Sequence, residues 1–303
     1  NSCRWGGGVY LASITADLTR TRFVRNSADD AGGGLLTDVL GDVTLRDSLF
    51  AANRAVEDGG ALAGGNSSFA LRNVTLSGNS AGMRGGGLDL VLNTSANLDN
   101  TILWGNIASG APSQATFDET SAIVANHSII EGGCPADATC SDTITSDPLF
   151  YEDPEAGDDG IWGTSDDEEG DLRLWKFSPA IDAGDNTVSG LWSIDLARNP
   201  RRVDVASVAD TGSGEAPIVD IGAFESPPDV IHVDQAAAGA YSGLTWTDAF
   251  TDVQDALAWG SSGSADVWVA QGTYSPGDER DDAFHMMNHV ALYGGFPTGG
   301  GDG

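Results

Sequence analysis

Apolar and polar residues alternate in short runs along the first 130 residues. In Asp42-Val43-Thr44-Leu45-Arg46-Asp47, Val43 and Leu45 share one face and polar neighbours take the other, the pattern of a half-buried strand. β-branched residues and Gly/Asn punctuation dominate, and apolar spacing at i, i+3, i+4 does not persist over three turns, so strands rather than helices are expected. The strand pattern itself recurs. Leu18, Leu45, Leu71 and Leu98 lie 27, 26 and 27 residues apart, and Phe23, Phe50, Leu76 and Leu103 keep step. Three residues after each of these come Asn26, Asn53, Asn79 and Asn106, while Gly6-Gly7, Gly32-Gly33, Gly59-Gly60 and Gly85-Gly86 start 26, 27 and 26 apart. Independent columns with one shared period mark a repeat architecture. A period of this length holds three short strands and three turns, one coil of a parallel β-helix whose coils stack roughly 4.8 Å apart.

Each column then has a physical job. The Leu column and the Phe/Leu column point inward as apolar ladders. The Asn column sits at one turn, where Asn tolerates left-handed backbone and stacked amides bond from coil to coil. Such mutual satisfaction weighs against reading those amides as a carbohydrate site. The glycines supply positive φ at another corner.

Gly32-Gly33-Gly34-Leu35, Gly59-Gly60-Ala61-Leu62 and Gly85-Gly86-Gly87-Leu88 resemble a GGA-[ILV] motif, and Phe23-Val-Arg-Asn26 and Phe50-Ala-Ala-Asn53 resemble FxxN. Both belong to polymorphic outer-membrane protein repeats, and the match spans about residues 1–130. The resemblance implies a right-handed parallel β-helix on a bacterial surface and says little about activity. Leu76 and Leu103 depart from the Phe of the motif, and the fifth coil ends Ile129-Ile130-Glu131-Gly132-Gly133 without Asn.

The period stops near residue 145, which sets residues 1–145 apart as coils. Within 146–226, carboxylates crowd a Gly-broken loop: Asp153, Glu155, Asp158 and Asp159, then Asp166, Asp167 and Asp171. Hard oxygen ligands at near-alternate positions suit Ca²⁺, although neither stretch fits an EF-hand. A solvated acidic loop is the alternative. Ser178-Pro-Ala-Ile-Asp182-Ala-Gly184-Asp185, Arg198-Asn-Pro-Arg201 and Val219-Asp220-Ile221-Gly222-Ala223-Phe224-Glu225 are together similar to the choice-of-anchor Q region that follows β-helical repeats in bacterial envelope proteins. Asp182, Asp185, Asp195 and Asp220 invite a glycosidase reading. The competing expectation is that they cap turns and pair with Arg198, Arg201 and Arg202 where the β-helix ends. Cys134 and Cys140 flank a five-residue loop and are candidates for a local disulfide. Cys3 is left over, expected as a free buried thiol of the first coil or else a cross-link to another chain.

After Ser226-Pro227-Pro228, residues 229–303 predict strands over Val230–Val233, Asp266–Ala270 and His289–Tyr293, with one amphipathic helix over Thr245–Trp259. Their order is similar to the cap and first strands of a pectin-lyase-like β-helix. The chain thus reads as coils followed by the start of a second β-helix, which raises head-to-tail self-assembly as a filament, or one period of a longer tandem chain.

Composition narrows the partners. With 45 acidic and 14 basic residues the net charge is −31, which argues against nucleic acid and anionic lipid as partners. No apolar run is long enough for a membrane span. An extracellular or cell-surface setting follows from the resemblance, with polysaccharide of the envelope or matrix as a further partner class. A catalytic role is not expected. A polysaccharide lyase on this fold needs a base beside bound uronate, but Lys176 is the sole lysine, and His127, His232, His285 and His289 are scattered. A carbohydrate-active lyase or hydrolase remains the alternative to a structural or adhesive surface protein.

Overall fold

The computed structural model describes residues 2–277, 279 and 281–300. The chain is an all-β parallel β-solenoid with a single short helix. Three sheets run along the coils. One joins Ser2–Cys3, Ser27–Ala28, Arg54–Ala55, Ser80–Ala81 and Ile107–Ala108 in parallel register. A second joins Val9–Ala12, Leu35–Asp38, Leu62–Gly65, Leu88–Val91 and Ala115–Phe117. The largest contains the ten-residue strands Asp42–Ala51 and Ser68–Ser77, whose register places Leu45 beside Leu71 and Phe50 beside Leu76.

That register converts the sequence columns into ladders. Leu45, Leu71 and Leu98 are fully buried in one apolar core with Phe50, Leu76 and Leu103. Phe23 stacks on Phe50 with ring centroids 4.4 Å apart. Gly32, with φ +71, turns the chain, and Gly33 lies so close to the next coil that a Cβ would meet the Gly60 carbonyl oxygen at 2.2 Å. The paired glycines therefore serve two needs, backbone conformation and close approach.

The amide column departs from its expected conformation. Asn26, Asn53, Asn79 and Asn106 are not themselves left-handed; the residues before them are, Arg25, Ala52, Gly78 and Gly105. The turn strain is thus carried one position earlier. The Asn side chains are left free to run along the axis, each Nδ2 donating to the next Oδ1: Asn26 to Asn53 at 2.9 Å, Asn53 to Asn79 at 2.9 Å, Asn79 to Asn106 at 2.8 Å. Gln114 continues the line, its Oε1 accepting from Asn106 at 2.7 Å.

A second left-handed column divides the long strands. Arg20, Asp47, Asn73, Asn100 and His127 have φ between 43 and 50. Beyond this bend, alternation ends. In Asp42–Ala51 every residue from Asp47 onward is buried, so both faces are covered. The inner face belongs to the solenoid core. The outer face, Leu49, Ala51, Ile102 and Ile129, packs against Leu172, Leu174, Ile181, Ile221 and Phe224. The region after residue 145 therefore docks along the flank of the coils, rather than only closing their end as expected.

Cys134 and Cys140 are disulfide-bonded, whereas Cys3 is free and exposed, not buried in the first coil. In the C-terminal part, Val230–Val233, Asp266–Ala270 and Ala291–Phe296 form a parallel sheet. The helix covers only Val253–Gly260, shorter than the amphipathic pattern suggests. Phe250 is withdrawn into a parallel bridge with Val233, donating to the His232 carbonyl at 3.0 Å and accepting from Asp234 at 2.8 Å. Thr245 caps a separate turn through Asp248, and Asp252 caps the helix by accepting from Gln254 N–H at 2.7 Å.

Candidate functional site

Two acidic regions lie on the solenoid flank. The first is the Gly-broken loop. Phe150–Glu152 pairs antiparallel with Asp171–Leu174, and Glu155 bridges Glu168, so the loop is an ordered excursion. It lies over arginines of the coils: Arg25 donates to the Ser165 carbonyl at 2.8 Å, Arg22 reaches Glu169 at 3.4 Å, and Arg54 packs on Gly163. Its open groove, about 720 Å³, is lined by Arg25, Glu155, Asp158, Asp166 and Asp167 among others.

The carboxylates of that loop are partly engaged. Asp171 is held by the Arg173 guanidinium, and Asp159 accepts from Ile161 N–H at 2.7 Å. Asp166 accepts from the Thr164 hydroxyl, which holds its carboxyl below the usual range. Asp167 is buried and accepts from Gly163 N–H at 2.7 Å. Asp153 is pushed up by burial, then by Asp147 and Glu155. The seven do not converge on a point. Among the described residues, the only three His, Cys, Asp or Glu side chains with ligand atoms all within 4.8 Å of one another are Asp182, Asp204 and Asp210.

The second region is a buried ionic cluster beneath the docked lobe. Arg201, 0% exposed, donates through Nη2 to Asp47 Oδ1 at 2.5 Å and to the Ala223 carbonyl at 3.0 Å. Its Nη1 donates to the Gly222 carbonyl at 3.1 Å and lies 3.5 Å from Glu225 Oε2. The four carboxylates considered for glycoside cleavage accept from main-chain N–H groups. Asp185 accepts from Thr187 N–H at 2.7 Å, and Asp195 from Asn199 and Glu225 N–H at 2.7 and 3.0 Å. Asp220 accepts from Asp182 and Ser226 N–H at 2.8 and 2.7 Å. Asp185 and Asp195 cap turns, as the competing expectation held, whereas Asp220 and Asp182 accept from N–H groups of distant segments, and the direct ion pairs of Arg201 are with Asp47 and Glu225 instead.

Sequence reasoning missed Asp47 because its column, Asp47, Asn73, Asn100, His127, shares a backbone conformation rather than one side chain. Those side chains fasten the lobe. Asn73 donates to the Asp220 carbonyl at 3.0 Å, Asn100 exchanges bonds with the Asp185 main chain, and His127 meets the Ser213 hydroxyl at 2.9 Å.

Four buried carboxylates, Asp47, Asp195, Asp220 and Glu225, share one guanidinium, so charge is in excess. Burial pushes Asp47, Asp195 and Glu225 upward, Glu225 well above 4.5 with Asp220 adding to it. Asp220 is pushed to about 6 by burial, and Asp182 to about 8 by burial and then by Asp220. For Glu225 the consequence has a definite sign. The folded chain keeps a proton that the unfolded chain releases above about 4.5, so stability falls as pH rises past that value. Glu225→Gln, which retains an acceptor for Val203 N–H and stays beside Arg201, Asp195 and Asp220, should flatten the fall in melting temperature between pH 5 and pH 8. An unchanged slope in the variant would assign the pH response to other groups.

Of the four carboxylates considered for glycoside cleavage, Asp182, Asp195 and Asp220 are at most 1% exposed. Among the described residues no helix is long and apolar enough to cross a membrane. Compared with protein-family models, curated proteins and solved structures, the chain matches none of them.

Proposed function

We propose that this chain is a non-catalytic structural or adhesive surface protein, a rigid length of β-solenoid. The observation that carries the reading is where its polar chemistry lies. The Asn ladder and the Arg201 cluster are buried and bonded to neighbouring coils or main-chain N–H groups, which braces a scaffold and leaves no sugar access. The Cys134–Cys140 disulfide favours an oxidising, extracellular setting. The GG-[GA]-L and FxxN repeats, and the likeness of residues 145–226 to a choice-of-anchor Q region, favour a bacterial surface. Self-association fits the same role: among the described residues Ala291–Phe296 lies at the edge of its sheet and exposes Leu292 and Tyr293, a template for strand addition.

The test incubates the purified chain with polygalacturonate and related glycans, following unsaturated-product absorbance and reducing ends, and images the same samples by negative stain. No product and rods joined end to end are expected. Product accumulation would overturn the non-catalytic reading in favour of a lyase or hydrolase, and only discrete monomeric rods would remove self-association.

A further inference from the structure

We propose that Asp182, Asp204 and Asp210 form a divalent-cation site, suited to Ca²⁺, at the solvent edge of the docked lobe. It is separate from the acidic excursion and does not depend on the scaffold reading.

The site is built by the main chain. Asp182 is left-handed, with φ +52, and its N–H donates to Asp220. Its carbonyl accepts from Thr211 and Gly212 N–H at 2.9 and 3.1 Å, which carries Asp210 over it. Its Oδ2 accepts from Val205 N–H at 3.4 Å, which carries Asp204 beside it. The residue following each partner aspartate is therefore tied to Asp182 itself. Two loops are fixed so that three carboxylates converge.

The convergence is uncompensated. Asp182 is 0% exposed, yet its Oδ1 has no hydrogen-bond partner. The groups acting most strongly on it include the carboxylates of Asp220, Asp210 and Asp204. A buried acceptor with no donor is costly, as is like charge gathered around it. One cation answers both.

The donor set selects the ion. All three ligands are hard carboxylate oxygens with no His or Cys, which disfavours zinc and favours Ca²⁺. Oxygens on one Ca²⁺ at about 2.3–2.6 Å can stand as far apart as about 5 Å, and the three here lie within 4.8 Å. Asp204 and Asp210 are exposed, so water can complete the six to eight positions that Ca²⁺ takes.

The experiment strips the full chain with chelator and follows Ca²⁺ binding by calorimetry and by the thermal melt at fixed ionic strength. The expected result is saturable binding and a rise of several degrees in melting temperature. Both should be lost in Asp204→Asn/Asp210→Asn and kept in Asp159→Asn/Asp166→Asn. Because Asp204 and Asp210 are exposed, the first variant should fold. Its melt in chelator serves as the check and should match or exceed that of the parent, since it removes repulsion. The proposal is overturned if the parent shows no binding, or if the first variant still responds. It is also overturned if only the second variant loses the response, which would place the ion in the acidic excursion, or if K⁺ at equal ionic strength reproduces the shift, which would make it charge screening.

Discussion

Arg201→Met should destabilise the fold by about 3–5 kcal/mol, the cost of removing one partner from a buried ion pair. Methionine fills much of the volume, so packing is not the main loss. What remains is Asp47, at the bend of a coil, and Glu225, in the lobe, both buried and without the guanidinium that bonded them. The Gly222 and Ala223 carbonyls lose their donors as well. The penalty should be larger at pH 8 than at pH 5, because both carboxyls already sit above their ordinary values and protonation relieves them. Urea titrations at the two pH values measure this directly. Adding Asp47→Asn and Glu225→Gln to Arg201→Met should recover part of the loss. A shift below about 1 kcal/mol for the single variant would mean that water reaches the cluster, as it does at a surface pair.

Asn79→Ala is expected to cost about 3–6 kcal/mol, since several buried groups lose partners at about 1–3 kcal/mol each and some relaxation follows. Asn79 Oδ1 accepts from Asn53 N–H at 3.0 Å and Nδ2 at 2.9 Å. Its Nδ2 donates to Asn106 Oδ1 at 2.8 Å and to the Phe50 carbonyl at 3.0 Å. Alanine supplies none of these. Met83→Ala, on an exposed site of the same coil, should change stability by no more than about 0.5 kcal/mol. Equal denaturation midpoints for the two variants would show that the ladder contributes nothing.

The coils were legible because stacking makes each position repeat its environment every 26 or 27 residues, so Leu45 and Leu71, or Phe50 and Leu76, face the same demand. The lobe was not, because its contacts join residues as far apart as Asp47 and Arg201, and no period reports them. One local signal was present. Leu49-Phe50-Ala51 and Ile102-Leu103-Trp104 break the alternation with adjacent apolar residues, which a strand covered on one face does not need. The bend column was hidden by its chemistry, since Asp, Asn and His satisfy one left-handed position with different side chains. The helix was overextended because amphipathic spacing over Trp246, Phe250, Val253 and Leu257 does not reveal that Phe250 serves a sheet bridge. Trp246 packs on His232 and Phe296 instead. The triad joins Asp182 to residues more than twenty positions away along irregular backbone, where spacing carries no geometric information.

A solenoid of bare coils can change length by gaining or losing a repeat, because each coil meets only its neighbours. Here the lobe grips the bends at Asp47, Asn73, Asn100 and His127 with four different partners. Duplicating a coil between the first and last of these would carry some bends out of reach of their partners by one coil rise. The docked lobe therefore acts as a gauge that fixes how many coils the central stretch contains, and it confines variation in repeat number to coils outside its grip.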